Sequence, residues 1–499
     1  MELKLTRETL SFERFAGRSE EEITIEGEAM LPGSMRDAVT VLSVQAQAHA
    51  TGVQALSGEA GIRGRVCFQV LYTQGDLTRV RSLETSCDFT HAVTMPGVTA
   101  NMRVEPVVSV LQTQGHAANG RMTLRAQLQA VLEAFEPAQK EVVAEVLDGE
   151  ADNLLTKKQK AACCMSAPVG ENKTLVREEY DLPAKLGVGD VLCATAAAGE
   201  CELSGGNGRV GVSGRMEARV LHRPSEAGNA LVTTVHEMPF ELSIDAQLEA
   251  DWQLLASAEV VDVMADSVES EKGRTLRLEA EVRVRLMRMK HGEIEVLSDL
   301  YSISGPVLEP VTETIGVHAC QHHVHAREST RLQVMLPAQA PPIGTMLAAF
   351  AQPMVTAAAP AGRRLDVEGI MQVTLMYLPQ DSDIPYAVHT REPFAMTFPV
   401  EAQEGVCVRA YAIETMLGPA TSDRAELRCV LGLHALEHGV TQLQVVTDVV
   451  QKPEEKQERG FVLVWPAEHE SRWDTARRLR VREESLRPAG AKALLAFRR

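Results

Sequence analysis

One run in the chain has the residue types of a metal centre. It reads His318-Ala319-Cys320-Gln321-His322-His323-Val324-His325, and thiolate and imidazole are ordinary ligands of zinc. The spacing argues against that chemistry. On an extended strand His318, Cys320 and His322 share one face while His323 and His325 take the other, because side chains alternate with a period of two. Three ligands in a row along one strand face do not enclose a tetrahedral ion, and the spacing matches no standard zinc knuckle. The run therefore reads as a polar strand or connector. A second candidate is the pair Cys163-Cys164, near Lys157, Lys158 and Lys160. A reactive thiol needs an electropositive, partly exposed setting, and a connector thiol without a role is the simpler reading. Neither Gly-x-Ser-x-Gly nor Gly-x-x-x-x-Gly-Lys-Ser/Thr occurs, so a hydrolase nucleophile elbow and a phosphate-cradling ATPase loop are not expected. The residues point to a chain that is not an enzyme and that uses no cofactor and no metal.

The elements that organise the chain lie elsewhere. A glycine followed by eight alternating residues occurs three times, at Gly64–Tyr72, Gly214–His222 and Gly369–Tyr377. Val66, Phe68, Val70 and Tyr72 fall on one parity, matched by Met216, Ala218 and Val220, and by Met371, Val373, Leu375 and Tyr377. Arg65, Cys67, Gln69 and their counterparts take the other. This is the pattern of an antiparallel strand with one buried and one wetter face, so the aromatic residues are expected in a core. Each glycine marks a bulge or a close backbone approach.

The copies extend well beyond the strand. A Leu-Pro pair (Leu31-Pro32, Leu182-Pro183, Leu336-Pro337) precedes the glycines by 32, 31 and 32 residues, counted from the proline. A phenylalanine (Phe89, Phe240, Phe394) follows the last strand residue by 17, 18 and 17. The glycines are 150 and then 155 residues apart. A period of that size is a whole domain rather than a solenoid turn, and short alternations divided by turn residues are the signature of a β-sandwich or barrel-like domain. The expected units are 1–150, 165–308 and 309–451. Helical pattern is confined to 138–160 and 472–487.

The totals agree with several globular modules. The chain has 499 residues, 45% of them hydrophobic and 24% charged, which excludes wholesale disorder. A formal charge of -18 argues against nucleic-acid binding, which needs a basic face. Nine cysteines without a C-x-x-C read as reduced thiols rather than a disulfide framework. The first ten residues contain no apolar run of signal-peptide length. The long uncharged stretch 333–362 carries five prolines, so no membrane insertion is expected.

After the third unit a charged connector, 452–459, leads into a tail of different character, 460–499. Phe461-Val462-Leu463-Val464-Trp465 reads as a strand stopped by Pro466. Trp473, Ala476 and Leu479 recur at helical spacing behind Ser471, a good N-cap. Leu494, Leu495 and Phe497 close with another strand. The tail carries nine Lys/Arg against five Asp/Glu, a net of +4, which leaves about -22 on the rest. Trp473, Arg477, Arg478, Leu479 and Arg480 are the candidate partner-binding residues, since tryptophan and arginine are enriched at interface hot spots. The alternative for these arginines is a solvated helix face.

These features resemble a known family. The threefold unit resembles the SPOCS domain, a β-rich module of spore coat assembly proteins. Its pattern of Leu-Pro, a Gly-led strand ending in Leu-Tyr and a Pro-Phe is met by Leu31-Pro32, Gly64, Leu71-Tyr72 and Phe89, and by their equivalents around Gly214 and Phe240 and around Gly369, Tyr377 and Phe394. The tail resembles a LysM domain at Trp473, Ala476, Leu479, Val481, Leu486 and Leu494 to Phe497. The combination resembles the SipL type of spore morphogenetic protein. The resemblance implies three repeated SPOCS domains plus a small α+β LysM-like domain. It also implies an adaptor in the mother-cell cytoplasm, at the forespore surface, that helps assemble the spore coat and binds the SpoIVA ATPase through its tail, with other coat proteins as further partners. Two departures bear on the alternative, a peptidoglycan-binding protein of cortex or wall. His469-Glu470-Ser471 stands where LysM domains have Gly-Asp-Thr, and Leu486 runs straight into Arg487-Pro488 where an Asn-containing loop belongs. Those loops form the sugar groove, so the departures argue against glycan binding.

Overall fold

The protein is described by a computed structural model covering residues 4–498 except 32–38, 76–77, 148–152, 184–185, 207, 226–229, 248–250, 271–272, 400–405, 454–459 and 490–492. Strands make up 81% of it. The first six are β1 (Lys4–Met30), β2 (Val39–Ala55), β3 (Glu59–Gln74), β4 (Arg81–Thr94), β5 (Arg103–Ala118) and β6 (Arg121–Leu147). They form two three-stranded sheets, β1-β6-β5 and β2-β3-β4. The sheets meet along both edges, β2 against β5 and β1 against β4, which closes a barrel-like sandwich around one core.

The same topology recurs twice. Strands β7 (Leu154–Tyr180), β8 (Val188–Gly206), β9 (Arg209–Pro224), β10 (Val232–Asp245), β11 (Gln253–Ser270) and β12 (Gly273–Ser302) form β7-β12-β11 and β8-β9-β10. Strands β13 (Val307–Met335), β14 (Ile343–Pro360), β15 (Leu365–Pro379), β16 (Tyr386–Phe398), β17 (Cys407–Ala420) and β18 (Arg424–Lys452) form β13-β18-β17 and β14-β15-β16. The three glycine-led strands are β3, β9 and β15, each the middle strand of its sheet. Their inward parity is buried as alternation requires: Val66, Phe68, Val70 and Tyr72, then Met216, Ala218, Val220 and His222, then Met371, Val373, Leu375 and Tyr377.

Register explains why a glycine and a phenylalanine recur together. Gly64 lies opposite Phe89, Gly214 opposite Phe240 and Gly369 opposite Phe394. Each ring lies across the glycine. A Cβ on Gly214 would stand 2.6 Å from Phe240 Cζ and 3.0 Å from Glu200 O, and one on Gly369 would stand 2.7 Å from Phe394 Cε1. A register shift sits beside each glycine on the other neighbouring strand, at Ala50/Gly52, Ala198/Cys201 and Val355/Ala357. The bulge pushes a carbonyl toward the glycine while the ring covers it from the far side. Close approach and bulge are both present, with the bulge on the partner strand.

The three six-stranded bodies close a ring. Leu42 and Leu71 of the first, Leu192 and Leu221 of the second, and Leu347 and Met376 of the third pack into one buried cluster, at positions related by the same offsets as the glycines. A second shared cluster joins the outer ends of the long strands through Phe12 and Val142, Ala161 and Val296, and Val317 and Val445. Polar bonds follow the same cycle. Gln69 Nε2 donates to Ala194 O at 2.6 Å, Arg219 pairs with Glu414 at 3.5 Å, and Gln352 Nε2 donates to Val110 O at 2.6 Å.

Two expectations are corrected here. The stretch 138–160 contains no α-helix among its described residues, which lie mainly in the end of β6 and the start of β7. Val142 is buried in one shared cluster and Val143 and Val146 in another, so both faces are covered and the period-two signal is lost. Cys163 and Cys164 do not lie in a connector but inside β7, with Cys164 fully buried. Burial pushes the Cys163 thiol up, away from a reactive thiolate. Pro32 and most of the charged connector, 454–459, lie outside the described residues. Among the described residues no helix is long and apolar enough to cross a membrane.

Candidate protein-docking site

The tail is built from β19 (Gly460–Val464), α1 (Arg472–Leu479), a 3-10 turn (Glu483–Ser485), β20 (Arg487–Pro488) and β21 (Leu494–Arg498). The sheet order is β19-β21-β20. Ser471 caps α1 as its spacing predicts, and reciprocally: Asp474 N donates to Ser471 Oγ at 3.2 Å while Ser471 N donates to Asp474 Oδ2 at 3.1 Å. The helix stops at Arg480, in the left-handed region at φ 52, where Val481 N reaches back to Ala476 O at 3.0 Å. Ala476, Leu479, Val481 and Leu486 pack on Val464 and Ala496 to form a small core.

That core is completed by the body. Tyr301, near the end of β12, is a buried member of it, and Leu155 of β7 packs alongside. Tyr301 OH donates to Val481 O at 2.8 Å, and its ring meets Trp473 edge-on with centroids 5.0 Å apart. Burial and the nearby carboxylates push the Tyr301 hydroxyl up to about 12, so it stays a donor. A register shift in β12 between Leu297 and Asp299 precedes the key acceptor. Asp299 receives Trp473 Nε1 at 2.7 Å and Arg477 NH1 at 3.0 and 2.9 Å. Arg480 is buried and donates to Ser302 O at 2.9 Å, Ser302 Oγ at 3.0 Å and Gly305 O at 2.8 Å. Such charge-assisted bonds hold best where water is excluded.

The structure thus gives the candidate binding residues intramolecular partners. Trp473, Arg477 and Arg480 face the body, and Leu479 is core. Arg478 stays within the tail, its Nε donating to Glu470 Oε1 at 2.9 Å. A polar cleft of about 380 Å³ between tail and body is lined by Glu309, Glu470, Asp474, Arg478 and their neighbours. Asp299, Tyr301 and Ser302 were not singled out by the sequence, and no local pattern marks them. Phe461, Leu463, Trp465 and Phe497 are all exposed, Phe461 by 75%. Their signal was legible: a run apolar on both parities in a forty-residue domain has only one helix layer to bury against.

The chemistry-bearing runs are placed as follows. His318 is buried at the junction of all three bodies, its Nδ1 3.1 Å from Glu13 Oε2, where Ser166 Oγ also donates at 2.9 Å and Arg103 reaches Glu13 Oε1 at 2.9 Å. Burial pushes the Glu13 carboxyl up, but the bonds from His318, Arg103 and Ser166 hold it below the usual range. A register shift between Cys320 and His323 breaks the strand alternation, and the side chains of 320–325 lie outside the described residues. Among the described residues no three His, Cys, Asp or Glu are grouped as metal ligands. The signature residues Gly64, Tyr72, Phe89, Gly214, Phe240, Gly369, Tyr377 and Phe394 lie in β3, β4, β9, β10, β15 and β16, with each glycine opposite its phenylalanine.

Residues 37–115 match the family model described as SipL, SPOCS domain. The matched stretch holds β2, β3, β4 and most of β5, and with them Gly64, Tyr72 and Phe89. The match relates the chain to sporulation. No curated protein and no solved structure matches it.

Proposed function

We propose that this chain is a non-enzymatic adaptor of spore morphogenesis that helps assemble the coat on the forespore surface from the mother-cell cytoplasm. The observation that carries this reading is the SPOCS match at 37–115, set in a β body whose topology occurs three times. A ring of three similar bodies offers three similar surfaces, and linked weak contacts to a polymeric scaffold add through effective concentration. The tail is the docking module, with the SpoIVA ATPase as its partner and other coat proteins on the body. Its amphipathic build supports this, because a helix-covered sheet that leaves large aromatics in water is short of a partner.

The test is binding of the purified full-length chain to purified SpoIVA, beside a chain ending at Lys452. Saturable binding that is lost with the tail supports the adaptor reading. Equal binding by both chains moves the contact to the body, and no binding by either removes the SpoIVA assignment.

A further inference from the structure

We infer that the partner-binding surface of the tail is the outer face of its sheet, and that it takes an apolar protein strip edged by a carboxylate. This rests on the reading that the tail docks a protein. It relocates the contact away from the helix, where Trp473, Arg477 and Arg480 are already engaged with Asp299 and with residues 302–305.

The geometry is specific. Phe461, Leu463 and Trp465 share one parity, and the register sets Phe461 opposite Phe497 and Leu463 opposite Leu495. The opposite parity, Val462, Val464, Leu494 and Ala496, packs beneath α1 and toward Tyr301. Body and helix therefore cover the same side of this sheet, and the other side is left to solvent. On it Phe461, Trp465, Phe497 and Leu463 are 75, 64, 49 and 45% exposed, and the Phe461 and Phe497 rings touch with centroids 5.0 Å apart. Single exposed apolar residues are ordinary, but four large ones on one small face are the composition of an interface core.

Charge chooses the occupant. From Gly460 to Ala467 there is no charged residue. Arg487 lies in register with Leu495, beside the apolar face. An apolar face with the exposed Arg487 at its edge fits an apolar strip edged by a carboxylate.

The experiment uses full-length protein and SpoIVA as the probe, comparing wild type with a Phe461→Ser/Trp465→Ser chain and an Arg487→Glu chain. Loss of two central aromatics is expected to weaken binding by at least about 30-fold, the level of an interface hot spot. Arg487→Glu is expected to weaken it several-fold, with the difference shrinking in high salt. Melting curves identical to wild type show that both variants fold, and if the double variant does not, the single exposed charge reversal decides. Wild-type binding that both variants retain within threefold overturns the inference while leaving the adaptor reading intact. Failure of wild type to bind instead removes that reading. Wild-type dimers that the double variant abolishes would assign the face to self-association and overturn the proposed partner.

Discussion

Asp299 holds the tail on the body, and Asp299→Ala measures how firmly. The substitution removes one acceptor that serves two donors, Trp473 Nε1 at 2.7 Å and Arg477 at 2.9 Å. The indole bond is charge-assisted and its carboxylate is only 11% exposed, which gives about 1.5–3 kcal/mol. The Arg477 side chain is 41% exposed, so screening reduces that pair to about 0.2–1 kcal/mol. Together the loss is about 2–4 kcal/mol of docking free energy, or a change of about 30- to 700-fold in the docked-to-undocked ratio. Asp299→Asn separates the contributions: the amide oxygen still accepts from Trp473, while the ion pair is gone. Hydrogen exchange of the full chain, read by mass spectrometry over 460–499 and 299–306, is the assay. Exchange in both segments should accelerate strongly in Asp299→Ala and modestly in Asp299→Asn, with 4–147 unchanged. Identical exchange in wild type and Asp299→Ala would show that the Tyr301 packing and the Arg480 bonds alone hold the tail, and the reasoning about Asp299 would be refuted.

Three further outcomes follow from the body. Gly214→Ala places a Cβ 2.6 Å from the Phe240 ring and should cost about 1–3 kcal/mol in urea unfolding, whereas Gly61→Ala, whose nearest neighbour is 3.9 Å away, should be close to neutral; equal costs would dismiss the ring-over-glycine account. Burial pushes the Glu259 carboxyl up, but the bonds and charges of His49 and Arg283 overcome it and hold the group down at about 2. A folded pKa below the unfolded 4.5 stabilises above about pH 4.5 and is lost as pH falls toward 2, so the melting gap between wild type and Glu259→Gln should narrow over that range, and a constant gap would contradict the assignment. His222 is fully buried, and among the described residues neither ring nitrogen reaches a partner at normal hydrogen-bond geometry. The equivalent Tyr377 donates to Pro341 O at 2.7 Å, so His222→Tyr should stabilise by about 1 kcal/mol, and a lower midpoint in urea would refute that.

Much of this architecture is written locally. Val66, Phe68, Val70 and Tyr72 alternate because one face of β3 meets a core and the other does not, and the same parity at 150- and 155-residue offsets marks the repeat before any contact is known. The glycine and phenylalanine positions carry the packing constraint with them, since only a residue without Cβ tolerates a ring across its backbone. Ser471, the helix behind it and the two flanking tail strands are equally local, set by a cap, a 3.6-residue period and a proline stop. What the tertiary structure alone decided are the contacts between separately patterned segments. Val142 and Val143 read as helical because the ring of three bodies buries both faces of that strand, and alternation survives only where one face stays wet. Trp473, Arg477 and Arg480 have the composition of an interface, and they form one, but with Asp299, Tyr301 and Ser302 of the same chain. Periodicity records how a residue faces its own element. Which distant surface meets that face depends on the closure of the chain, and no local spacing encodes it.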